Sequence, residues 1–135
     1  MREYSNGHIR AIAALFGMAG VAHFAAPLLF ERIVPPWLPD WLGTPRTVVY
    51  VSGVAELAGA LGILVRGTRV AAAWGLLILL VAVFPANIQM LQDARASGAS
   101  LWYVAALWLR LPLQPLLGWW VWRQAIRKER RRHSR

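Results

Sequence analysis

Residues 48–65 read "VVYVSGVAELAGALGILV", an apolar run whose single ionisable side chain, Glu56, sits near its middle. An apolar helix of about 20 residues crosses a hydrocarbon core of about 30 Å, and this run has that length. Gly53, Gly59 and Gly62 punctuate it, which lets a neighbouring backbone come close, as membrane helices require. Three more stretches have the same character, so the expected spans are 9–30, 47–65, 69–91 and 101–122. The connections after the second and third spans, "RGT" and "QDARASGAS", are short and polar, with Gly98 available for a positive φ. Together they predict an all-α integral membrane protein: one four-helix bundle with up-down topology over residues 1–122, followed by a basic tail over 123–135.

Composition agrees. Hydrophobic residues make up 58% of the chain and there are eight Trp, above the roughly 45–50% apolar share of soluble domains. The chain has no Cys, which removes disulfides, thiolate metal sites and any thiol relay of its own. Its net charge is +9, yet the basic block "RQAIRKERRRHSR" directly follows the apolar "LLGWWVW". That is the place where basic residues set membrane orientation and meet anionic lipid, so no nucleic-acid partner is expected. Arg2, Arg10, Arg66, Arg69 and the tail share one side of the expected topology, against Arg32, Arg46 and Arg95 on the other. The positive-inside rule then puts both termini in the cytoplasm of a prokaryotic plasma membrane. The polar N-terminus "MREYSNGHIR" is not read as a removable leader.

Between the first two spans, "ERIVPPWLPDWLGTPR" has too many prolines for a helix, and Ile33, Trp37 and Trp41 suit an ordered cap at the interface. Pro27, Pro85, Pro112 and Pro115 should bend or break their helices, freeing a carbonyl near Val81.

The functional question lies in the polar residues of the spans. His23, Glu56, Asn87 and Arg110 each lie in a different span, and counting about 1.5 Å per residue from the outer ends places all four in the outer half. A charge at mid-membrane costs about 2.5–3.5 kcal/mol on insertion scales, so such groups need partners. The expected network pairs Glu56 with Arg110, with His23 and Asn87 completing it; Gln89, near the outer interface, and Gln114, between Pro112 and Pro115, are the further amides at its edge. Glu56, His23 and Arg110 are the candidate catalytic groups, and His23, Glu56, Asn87, Arg110 and Gln114 the candidate ligand-binding set. No metal site is expected, because no second ligand stands near His23 in its span.

The blocks "GVAHFAAPLLFERIVPPWLPDW", "VYVSGVAELAGALGIL" and "FPANIQML" resemble the signature stretches of the DoxX family of small four-span membrane proteins, over about Met18 to Arg110. The founding members of that family are small membrane subunits of archaeal terminal quinol oxidase and of thiosulfate:quinone oxidoreductase. The resemblance implies a redox-associated accessory subunit, partnered by another membrane or redox protein. Sulfur chemistry through this chain's own thiols is excluded by the missing cysteines.

Three functions fit these residues. The first is a subunit holding a small lipophilic ligand, a quinone-like cofactor, in the outer half of the bundle. The second is a membrane-embedded proton-transfer enzyme, an isomerase or epoxide-opening enzyme, using Glu56; a Glu held by Arg would be a poor acid there. The third is a non-enzymatic assembly factor or scaffold whose polar core only sets helix register.

Overall fold

The computed structural model describes residues 2–127, with side chains from Asn6 onward. It is all-helical: α1 (Arg2–Ala25), α2 (Pro27–Glu31), α3 (Pro45–Leu64), α4 (Arg69–Ala96) and α5 (Leu101–Val121), with a 3-10 turn at Asp40–Leu42 and a π-helical end at Trp122–Arg127. Asn6–Ala25, Pro45–Leu64 and Arg69–Ala96 are long and apolar enough to cross a membrane. α5 has the length but is not among these three; it carries four Trp, Tyr103, Arg110, Gln114 and two prolines.

Local chemistry sets the helix ends. The expected span 9–30 is divided at Ala26, where φ is −137° and ψ 56°, because the residue before a proline is pushed out of the α region by the ring of Pro27. Thr44 caps α3 by accepting from Thr47 N–H, with Pro45 at the first helical position. Ser100 caps α5 in the same way, accepting from Tyr103 N–H. "QDARASGAS" is not wholly a loop. Its first five residues, good helix formers apart from Asp93, extend α4 to Ala96. Gly98, at φ 68°, then stops the helix with the paired bonds Ala99 N–H to Ala94 O (2.9 Å) and Gly98 N–H to Arg95 O (3.3 Å).

α4 and α5 run through Pro85, Pro112 and Pro115 without a break, since backbone groups in apolar surroundings have no better partner than the helix itself. Arg69, counted with Arg66 on one side of the expected topology, is buried. Its Nε donates to Ile63 O at 2.9 Å and its Nη2 to Leu64 O at 3.3 Å. These are the last carbonyls of α3, where a cation also meets the negative end of the helix dipole.

Neighbouring helices pack in the order α1, α3, α4, α5. At the end holding the α3–α4 turn they share one core, in which Ile9, Ile12 and Phe16 meet Ala60 and Ile63, Ala73 and Leu76, and Val121, Ala125 and Ile126. The helix therefore continues past the expected boundary at residue 122, and Ala125 and Ile126 are fully buried rather than part of a tail. Residues 128–135 lie outside the described residues. Two further contacts lie toward the other end. Leu91, Ala94 and Leu107 join α4 to α5, while α1 crosses α3 at Gly20 and Gly53.

That crossing is tight. A Cβ on Gly20 would stand 2.8 Å from Leu57 Cγ and 3.0 Å from the Gly53 carbonyl oxygen. Gly20→Ala should therefore push α1 off α3 and cost about 1–3 kcal/mol by overpacking, whereas Gly75→Ala, whose Cβ meets nothing within 4 Å, should be neutral or slightly stabilising through helix propensity. Thermal unfolding of the two variants in the same detergent checks both.

Candidate functional site

The polar residues of the spans share one geometric property: each repeats, at a spacing of seven residues, the position of a residue in or against the common core. His23 follows Phe16 on α1, Glu56 precedes Ile63 on α3, and Asn87 stands fourteen residues beyond Ala73 on α4. On α5, Gln114 precedes Val121 and Arg110 precedes Leu117. Seven residues are nearly two full helical turns. Four of them, His23, Glu56, Asn87 and Gln114, are buried or half-buried just beyond the apolar seal, while Arg110 is exposed.

They meet as two pairs. The first lies between α1 and α3, where Gly20 and Gly53 let the backbones approach and bring His23 to Glu56. His23 Nδ1 is 2.8 Å from Ala19 O and 3.0 Å from Glu56 Oε2, with the two side chains 12% and 13% exposed. A carbonyl oxygen only accepts, so the Ala19 contact places the proton on Nδ1. The N–H is directed at that carbonyl. Glu56 Oε2, beside it, is buried with no hydrogen-bond donor aimed at it. In the neutral ring Nε2 is left as an acceptor. Phe30 of α2 stacks on the imidazole at 3.9 Å between centroids and 24° between planes, so the break at Ala26 that turns α2 back also fixes the ring. Phe24 and Tyr50 stack nearby at 5.2 Å.

The second pair joins α4 to α5. Asn87 donates through Nδ2 to Gln114 Oε1, and Gln114 donates through Nε2 to Leu80 O. The carbonyl that receives the amide lies one residue before Val81, whose own carbonyl has no N–H donor at Pro85. Both amides are buried.

Arg110 does not join Glu56. Its side chain is exposed and its Nη1 stands 3.9 Å from Met90 Sδ. The expected Glu56–Arg110 pair is therefore a Glu56–His23 pair, because α3 packs on α1 while α5 packs on α4, and counting depth from span ends cannot tell which helices are neighbours. Gln89 also stands apart, donating to Asp93 Oδ1 at 2.9 Å. Among the described residues no group of three or more His, Cys, Asp or Glu comes together that could hold a metal ion. Sequence reasoning passed over Phe30 as the ring that holds His23. The proline after Ala26 was the available signal.

Gln114 clips two helices, which gives a test. Gln114→Leu removes the acceptor of a buried Asn87 amide and should cost about 1–3 kcal/mol, while Asn87→Leu with Gln114→Leu, which removes both buried partners, should recover part of the loss. Detergent-solubilised unfolding curves of the single and double variants read the difference.

Comparisons with the curated proteins and with the solved structures give no match. Residues 12–125, which hold both polar pairs and Arg110, match a family model described as "Domain of unknown function (DUF8561)", and the chain belongs to that family.

Proposed function

We propose that this protein crosses a prokaryotic plasma membrane four times, with both termini cytoplasmic, and holds a small lipophilic ligand of the quinone type at the His23–Glu56 pair. In this reading it is a redox-associated accessory subunit, as its DoxX-like stretches imply. Four helices close around an apolar seal on the cytoplasmic side, and the polar groups stand beyond it toward the outer leaflet. The orientation rests on Arg10, Arg66, Arg69, Arg123 and Arg127 gathering at the sealed end.

One observation carries the ligand. Glu56 Oε2 is a buried acceptor with no donor directed at it, and such an atom costs about 1–3 kcal/mol or more when left unfilled. A ligand hydroxyl supplies the missing donor. His23 Nε2 offers a second contact to the same head, and the exposed Arg110 guanidinium on α5 is proposed to donate to a carbonyl oxygen of a larger ligand. The apolar flanks of the helices suit a hydrocarbon body.

A second reading, proton transfer on a lipid-soluble substrate, is favoured by the partner Glu56 has. An imidazole gains and loses a proton, whereas a guanidinium keeps its own. A Glu56–His23 pair can therefore pass a proton to a substrate and recover it.

Mass spectrometry of small molecules that co-purify in mild detergent tests the first reading. The expected result is a stoichiometric isoprenoid-type ligand on the unaltered protein, lost from Glu56→Leu and weakened in Arg110→Leu, both with unchanged melting temperature. No ligand in any form rejects it. Deuterium uptake from heavy water into a bound ligand, present with Glu56 and stopped by Glu56→Gln while binding persists, distinguishes proton transfer from simple holding.

A further inference from the structure

The sealed end carries a surface that the ligand site does not use. Past Val121 the chain continues as the π-helical end, and Gln124, Ala125 and Ile126 are buried against the core. With that face anchored, Arg123 and Arg127, one turn apart, project from the other face. Each guanidinium lies over an indole of its own helix: Arg123 is 5.1 Å from the Trp119 ring centroid and Arg127 is 5.9 Å from that of Trp122. Arginine held over a ring keeps its N–H edge free for a planar acceptor while losing side-chain freedom in advance.

Among the described residues no carboxylate answers these cations. The carboxylates whose side chains are described are Glu31, Asp40, Glu56 and Asp93. Glu31 pairs with Arg46 at 2.5 Å, Glu56 with His23, and Asp93 accepts from Gln89. Glu31, Asp40 and Asp93 lie at the far ends of the helices, and Glu56 lies within α3. The sealed end thus presents Arg123 and Arg127, with exposed Arg10 and Arg66 at the same end, and no described negative side chain. Trp119 is half exposed, at the level where indole rings sit between acyl chains and headgroups.

We propose that Arg123 and Arg127, backed by Trp119 and Trp122, form a binding site for the phosphate of an anionic phospholipid in the cytoplasmic leaflet. The fork of each guanidinium matches two phosphate oxygens, the indoles cover the glycerol and upper acyl chain, and the buried face of the same helical end holds both arginines in place. A general attraction of basic residues for acidic lipid needs no such order. Here the order is what distinguishes one site from a diffuse cloud. The proposal needs the helices to span the membrane, and it is independent of whether the His23–Glu56 pair binds anything.

The test uses the full chain in nanodiscs made of equal parts phosphatidylcholine and phosphatidylglycerol, with lipids that remain bound after release identified by native mass spectrometry. Phosphatidylglycerol should be enriched at least threefold among retained lipids. Arg123→Gln with Arg127→Gln should bring the ratio close to one, and Trp119→Leu should lower it. Replacing Lys128, Arg130, Arg131 and Arg132 by Gln should leave most of the enrichment. Equal retention of both lipids by the unaltered chain, or a loss that follows the 128–132 replacements and not Arg123 and Arg127, overturns the proposal. So does finding that the Arg123/Arg127 variant keeps its lipid ratio but loses a co-purifying acidic protein. A melting temperature unchanged in Arg123→Lys with Arg127→Lys, together with partial enrichment, separates loss of the planar fork from loss of fold.

Discussion

The closeness of α1 to α3 at Gly20 and Gly53 is the constraint on which the functional end of the molecule depends. Where a Cβ would meet carbonyl oxygen at 3.0 Å, only glycine permits the backbones to touch, and helices in lipid gain their association from such contact rather than from expelling water. The consequence appears one turn further along. His23 and Glu56 come within 3.0 Å, and a buried carboxyl group acquires a neighbour that can share a proton with it. A wider crossing would leave both groups facing hydrocarbon, with no partner for either.

The molecule changes along its length from an apolar seal to polar pairs. At one end four helices meet around Ile12, Ile63, Leu76 and Val121, all nearly or fully buried, and Arg69 closes the α3 carbonyls beside them. At the other end the same core-facing strips change from aliphatic to polar. Continuing the apolar residues would have extended the seal; His23, Glu56, Asn87 and Gln114 instead place hydrogen-bonding groups on its outer side. The two polar pairs differ in kind. Asn87 and Gln114 satisfy each other and Leu80, which suits a clip between helices, whereas Glu56 retains an oxygen without a donor. That asymmetry is why the proposed ligand is placed at His23–Glu56 rather than at Asn87–Gln114.

Turn chemistry positions both ends. Pro27 ends α1 two residues after Ala25, and α2 turns back so that Phe30 covers His23. The Glu31–Arg46 ion pair ties α2 to the start of α3, across a connection in which Trp37 and Trp41 remain exposed. An exposed ion pair contributes little by itself in water, but it fixes which face of α2 rests on α1. At the sealed end the final helical turn tightens nothing; it widens into a π-helix, an arrangement often met at functional positions, and sets Arg123 and Arg127 outward.

By itself the sequence determined the helices, most of their ends and the set of polar residues that matter. Hydrophobic run lengths, Pro45, Ser100 and Gly98 act locally, through propensity and hydrogen bonds within a few residues, so they are legible without a fold. It also marked His23, Glu56, Asn87, Gln114 and Arg110, because an ionisable or amide group in an apolar run is conspicuous wherever the run packs. Tertiary structure alone decided the pairing. Depth along a helix can be counted from a sequence, but which helix lies beside which depends on interlocking surfaces such as Gly20 on Gly53 and Gly59 on Leu76. Those contacts gave Glu56 to His23 and left Arg110 beside Met90. They also drew Ala125 and Ile126 into the core, because a common apolar end had room for one more turn of helix and the burial of that turn outweighed the pull of the basic residues around it.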